Sequence, residues 1–182
     1  MVACRCRVAA MNVRIELMQV HDLSQVLEVQ ADVYDADILE DRSFYQNRLD
    51  LAPESCWVAR DADDQLQGYL VSYPWAGLLP PSLGDALNSL PSPADQWFIH
   101  DCAVMRRVQG RGVAGALLHA GRRYAWQRGL RRCSLVSLGP AVGYWQRLGY
   151  KPIEGVPAPV LEAKLRQYGE QASFMDCAVH PD

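Results

Sequence analysis

From residue 102 to residue 153 the chain contains no aspartate and no glutamate, although 21 acids occur elsewhere in its 182 residues. Nine arginines and Lys151 fall in that stretch, giving a formal charge of +10 against −13 for the remainder. Cations without local counter-charges suit either a solvated basic face or a site for a polyanion. The six cysteines form no C-x-x-C pair and the four histidines lack the spacing to complete one, so free thiols and no metal are expected. No run reaches the ~18 apolar residues of a membrane-spanning helix, and no membrane association is expected. The start, "MVACRCRVAAM", lacks the apolar core of a secretory signal, which points to the cytoplasm. No internal repeat is present.

The composition is that of a globular chain, 49% hydrophobic and 21% charged, and the length suits one domain. Residues 1–10 read as a disordered extension, and residues 11–182 as a single domain. "NVRIELM" alternates as a strand does, and "HDLSQVLEVQADVY" spaces its apolar residues as a helix does. "EDRSFYQNRL" suggests a second helix, and "CWVARDADDQLQGYLVSYPW" a hairpin turning on the acids at 61–64. A long loop over 76–96 holds four of the eleven prolines. Then come a continuous apolar strand, "WFIHDCAV", a helix from about residue 113 stopped by Gly129, and a buried strand, "CSLVSL". A short helix "PAVGYWQRL", a strand "YKPI", a helix "PVLEAKLRQY" and a last strand "ASFMDCAV" complete the order. The expected fold is α/β, with helices flanking one central sheet.

The segment "RRVQGRGVAGALLHAG", residues 106–121, sets three arginines at the electropositive N-terminal end of a helix. Such ends favour anions, so Arg106, Arg107 and Arg111 imply a bound one. Gly110, Gly112 and Gly115 satisfy G-x-G-x-x-G, but five residues separate Val104 from Gly110 and no acid follows until Glu154. A dinucleotide fold needs the glycines directly after its strand and an acid ~20 residues on, so it fails here. A nucleic-acid surface would use the basic block with exposed aromatics among Tyr124, Trp126, Tyr144 and Trp145. Tyr124 falls on the apolar helical face and the protein is acidic overall, so no nucleic acid is expected.

A third reading takes the residues in order. Gln109-Gly110-Arg111-Gly112-Val113-Ala114 matches Q/R-x-x-G-x-G/A, with "CAV" ending the strand before it and "YWQRLGY" following at a distance. In this the chain resembles the GCN5-related N-acetyltransferases, with the motif evidence concentrated in residues 96–152. The resemblance implies a mixed, mostly antiparallel sheet and acetyl-CoA as co-substrate. It places the pyrophosphate on the backbone N–H groups of residues 110–114, with Arg111, aided by Arg106 or Arg107, balancing charge. Main-chain groups of Cys102 and Val104 would pair with the pantetheine arm.

The same resemblance puts a base on that strand. His100 shares the parity of Cys102 and Val104 in a regular strand, and an imidazole with pKa ~6.5 suits the task. Asp101 points to the opposite face unless a bulge turns it. A hydrogen-bonded core histidine and a buried structural aspartate are the alternatives. Family members carry a tyrosine that protonates the departing thiolate, but here Trp145 holds that position. Its neighbour Tyr144 is the substitute candidate, core packing being the other role for it. A non-catalytic acyl-CoA-binding regulator is therefore the alternative to an enzyme. The acceptor would be a small-molecule or peptide amine, and Asp35, Asp37 and Glu40 would suit a cation. A homodimer is left open.

Overall fold

The computed structural model describes residues 11–169 and 171–180, so the expectation for residues 1–10 falls outside it. Seven strands form one sheet in the order β1-β2-β3-β4-β5-β7-β6. They are β1 (Arg14–Leu17), β2 (Cys56–Arg60), β3 (Leu66–Trp75), β4 (Gln96–Val104), β5 (Arg132–Ser137), β6 (Lys151–Pro152) and β7 (Ser173–Ala178). Every neighbouring pair is antiparallel except β4 with β5. The mixed, mostly antiparallel sheet matches the expectation. "YKPI" yields only a two-residue strand; beyond it the Ile153 amide still donates to the Phe174 carbonyl of β7 at 2.9 Å, and its side chain is buried with Phe98 and Phe174.

Helices cover both faces. On one side lie α1 (Leu23–Val33) and α2 (Arg42–Leu51), whose Leu23, Val26, Phe44, Tyr45 and Leu49 pack on Val58, Tyr69, Val71 and Ala103. Asp41 starts α2 as an N-cap, its carboxylate accepting the Phe44 amide at 2.9 Å. On the other side α3 (Val113–Gln127) presents Val113, Leu117, Leu118 and Ala125 to Trp57, Leu70, Trp97 and Ile99. Gly121 permits its close approach, since a Cβ there would lie 2.3 Å from the Trp97 ring. Tyr124, half-buried, meets Trp57 edge-on at 5.7 Å, which makes it a packing residue. Each fully buried leucine of this interface contributes about 1.5–3 kcal/mol. The expected helix "PAVGYWQRL" begins as a 3₁₀ turn, and α4 proper is Val142–Arg147. The last helix, α5 (Ala158–Leu165), packs beside β7.

The 76–95 loop is fastened rather than loose. Asn47 exchanges two 2.9 Å hydrogen bonds with the Leu87 backbone, and Arg48 donates to the Asp85 carbonyl at 2.6 Å. From the other side Lys164 reaches Ser82 at 2.8 Å and the Tyr168 hydroxyl reaches the Pro81 carbonyl at 3.0 Å. No helix of the described residues is long and apolar enough to cross a membrane.

Candidate functional site

Two irregularities in β4 create the site. The first is where its partnership with β5 stops: the register runs Trp97↔Cys133, Phe98↔Ser134 and Ile99↔Leu135, and goes no further. Both strands continue, so from His100 onward β4 has no ladder on that side, while β5 stays paired to β7 through Ser137. The second is a bulge. Asp101 pairs with Val71 but Ile99 pairs with Ser72, leaving His100 as the extra residue. Trp97, Ile99, Cys102 and Val104 therefore face α3, whereas His100 and Asp101 both face α1 and α2. This corrects the parity expected for His100, which assumed a regular strand.

Beyond β4 the chain turns through Gly110 (φ 75°) and Gly112 (φ 87°), left-handed positions that favour glycine. Space around both is open where a Cβ would stand. The first helical bond of α3 is Ala116 N–H to the Gly112 carbonyl at 3.0 Å, so the amides just before it have no partner within the helix. The three arginines have different duties. Arg106 donates to the Asp32 and Val33 carbonyls, the latter at 2.9 Å, at the electronegative end of α1. Arg107 donates to Gln67 at 2.8 Å. Arg106 is thus engaged at the end of α1, whereas exposed Arg107 makes this one bond and keeps further N–H donors beside Arg111. Arg111 has a buried Nε with no partner among the described residues. Unpaired amides, an open glycine cradle and an unsatisfied guanidinium nitrogen fit a diphosphate. Gln109 holds this turn to the strand, donating to the Val104 carbonyl at 3.1 Å. Val113 is buried in the core, and Ala114 lines the cavity described next.

Three cavities adjoin one another at the parted strands. An acyl-sized cavity of about 130 Å³ is lined by His100, Asp101, Cys102, Ala114, Tyr144 and Trp145, among others. An inner chamber of about 70 Å³ lies between Tyr34, Ile38, Glu40, Leu83, His100 and Tyr168. An outer groove of about 690 Å³ includes Asp35, Asp37, Gln109 and Gln171. Tyr34 and Leu138 line all three.

His100 and Glu40 make the chamber's polar pair, with Nε2 2.7 Å from Oε2 and both side chains nearly inaccessible. A proton must lie between them, since a nitrogen lone pair facing a carboxylate would repel it. His100 Nδ1 is 3.4 Å from the Tyr73 hydroxyl, and Phe44 packs on the ring at 4.6 Å. The second Glu40 oxygen accepts the Gly84 amide at 3.1 Å, tying the pair to the long loop.

Asp101 accepts hydrogen bonds from Tyr34 at 2.6 Å, Tyr45 at 3.1 Å and Tyr69. Burial raises its pKa above the ordinary carboxylate value, opposed by the Tyr34 and Tyr69 hydrogen bonds. The Tyr45 hydroxyl also lies 2.8 Å from Gln30 Oε1, and it has one proton to give. Burial likewise raises the phenols of Tyr34, Tyr45 and Tyr69. It pushes the Cys102 thiol up to about 12, so that sulfur is no nucleophile at neutral pH.

Tyr144 is half-buried, its phenol pushed to about 12 chiefly by burial. Its hydroxyl makes no hydrogen bond to a described residue, in contrast to Tyr34. Trp145 is buried against Tyr150, ring centres 5.2 Å apart. Sequence reasoning did not find Tyr34, Leu83 or Tyr168, because each reaches the site from a distant element. Glu40 carried a signal only as one acid among several.

Parted parallel strands ending in a glycine turn with open, unpaired amides make a cleft whose shape and chemistry suit an extended, phosphate-bearing molecule. The family model for the acetyltransferase (GNAT) family matches residues 20–150, and the chain belongs to that family. No curated protein sequence matches it. Among solved structures it is similar to the loading GNATL domain of CurA from Lyngbya majuscula, with a TM-score of 0.76 at 12% identity, covering 92% of this chain and 98% of that one. Ard1 from Thermoplasma volcanium gives 0.67 at 15%, over 92% and 98% of the two chains. A GNAT family acetyltransferase from Brucella melitensis in complex with acetyl-CoA gives 0.57 at 20%, over 94% and 90%. At these identities the likeness is one of fold.

Proposed function

We propose that the protein is an N-acetyltransferase that moves the acetyl group of acetyl-CoA to a primary amine by direct attack in a ternary complex. The observation that carries the proposal is that the unpaired stretch of β4 opens directly onto the chamber holding His100 and Glu40. The diphosphate would rest on the amides around Gly110, Gly112, Val113 and Ala114 with Arg111, and the thioester arm beside Cys102 and Val104.

An alkyl ammonium with pKa near ~10.4 must lose a proton before it attacks. The His100–Glu40 pair is the acceptor of that proton, and Asp101 acts by positioning Tyr34 between the cavities. The amine nitrogen then bonds the thioester carbon, and an unpaired backbone N–H of β4 steadies the oxyanion. Collapse breaks the carbon–sulfur bond as the nitrogen gives up its second proton, which passes through Tyr144 or water to the departing sulfur, leaving a neutral amide and a thiol.

The test is release of free CoA from acetyl-CoA across a panel of amines, for the wild type and for His100→Gln. Amine-dependent release that falls ~10²-fold or more in the variant is the expected result. A second reading, a non-catalytic acyl-CoA-binding regulator, is favoured by Trp145 standing where the thiolate's tyrosine would be. Thermal stabilisation by acetyl-CoA without CoA release from any amine would support that reading instead.

A further inference from the structure

The three cavities share walls, so they form one route. The outer groove and the inner chamber have Tyr34, Ile38, Leu138 and Tyr168 in common. The inner chamber and the acyl cavity share Tyr34, His100, Asp101, Val136 and Leu138. The groove and the acyl cavity also meet directly, at Tyr34, Leu138 and Ala141, so it is the His100–Glu40 pair that brings an acceptor's amine into the chamber.

The chamber is the narrow part. At about 70 Å³ it is roughly half the size of an apolar cavity of ~150 Å³ that holds benzene, which leaves room for about three non-hydrogen atoms. A nitrogen and two methylenes fill it. A nitrogen on a branched carbon, as at a peptide N-terminus, brings more atoms than that. Its roof does not lift freely: Gly84 is bonded to Glu40, Tyr168 to Pro81, and Lys164 to Ser82. Three separate segments are thereby latched above it, contributing Ile38, Leu83 and Tyr168 as walls.

The charge along the route has one sign. Asp35, Asp37, Glu40 and Asp101 line it, His100 is its one other titratable group besides tyrosines and Cys102, and no lysine or arginine lines any of the three cavities. A substrate carboxylate entering here would lose water and gain no cation in exchange.

We infer that the chamber selects an unbranched primary amine without a carboxylate, and that Ile38, Leu83 and Tyr168 impose the selection. This rests on acetyl transfer at this site, and it narrows the acceptor to a small molecule.

The experiment compares kcat/KM for n-butylamine, sec-butylamine, 4-aminobutanoate and trialanine, with acetyl-CoA saturating, by CoA release. n-Butylamine is expected to exceed each of the others at least tenfold. Leu83→Ala is expected to narrow the gap between n-butylamine and sec-butylamine at least fivefold. The double variant Asp35→Asn, Asp37→Asn is expected to narrow the gap to 4-aminobutanoate by a similar factor. Each comparison is a ratio within one protein, so partial unfolding cancels. Equal use of sec-butylamine or trialanine, or ratios unmoved by the variants, overturns the inference while leaving acetyl transfer intact. Melting with and without acetyl-CoA is measured alongside. Stabilisation without turnover of any of the four amines overturns the inference and the enzymatic reading together, while no stabilisation removes the acetyl-CoA site as well.

Discussion

Asp101 is a carboxyl surrounded by phenols, and its ionisation is linked to folding. In the unfolded chain an aspartate titrates near ~3.9, whereas burial raises its value in the folded protein. Between those values the native state holds more protons than the unfolded one, so stability falls as pH rises through that window. Asp101→Asn keeps an acceptor for Tyr34 and removes the titration. The variant's Tm, relative to wild type, is therefore expected to rise with pH from about 4 and then level off above the folded value. A difference that is flat with pH would mean that Asp101 is ionised as readily in the fold as outside it. His100 and Asp101 were legible as chemistry in the sequence, but their placement was not. An extra residue in a strand is a property of its pairing with β3, and nothing in "WFIHDCAV" alone announces it.

At the scale of elements, the strand, glycine turn and helix from β4 to α3 were readable because glycine and periodicity are local signals. Their consequences are testable separately. Arg111→Glu is expected to abolish the thermal stabilisation by acetyl-CoA, which at ~100 times Kd amounts to about 2.7 kcal/mol in the wild type. The protein without ligand should melt near the wild-type temperature. Gly121→Ala should do the reverse, lowering stability by about 1–3 kcal/mol through overpacking against Trp97, with Tm as the readout. What the sequence concealed at this scale is the work of side chains that bridge elements. Arg106 looked like a phosphate ligand because its neighbours are glycines and arginines, yet it closes the end of α1, 74 residues earlier. The 76–95 segment likewise read only as a long surface loop, because the groups that hold it come from α2 and the region around α5.

For the whole molecule, the charge asymmetry seen first in the composition acquires a location. The basic block contains the turn proposed to hold the diphosphate, and the acids along the proposed acceptor route come from residues before it, apart from Asp101, which β4 supplies just ahead of the block. The two substrates would thus meet opposite fields on one chain. Raising salt shortens the screening length from ~10 Å at 0.1 M to ~3 Å at 1 M. The affinity for acetyl-CoA, measured by titration at both concentrations, is expected to weaken severalfold. Uniform affinity would confine recognition to short-range hydrogen bonds. The mixed, mostly antiparallel character of the sheet followed from the family resemblance; its strand order, and the point where the one parallel pair stops, are visible only in three dimensions.

The backbone amide of Met11 donates to the carbonyl of Arg111 at 3.0 Å. The first of the described residues is therefore moored to the same turn that would cradle the diphosphate, whereas Val179 is bonded to Arg131 at the far end of β5. Purification handles are not interchangeable on such a molecule. A bulky fusion ahead of Met11 would crowd the cofactor's mouth and mimic a binding defect, and one behind the last strand would leave it clear.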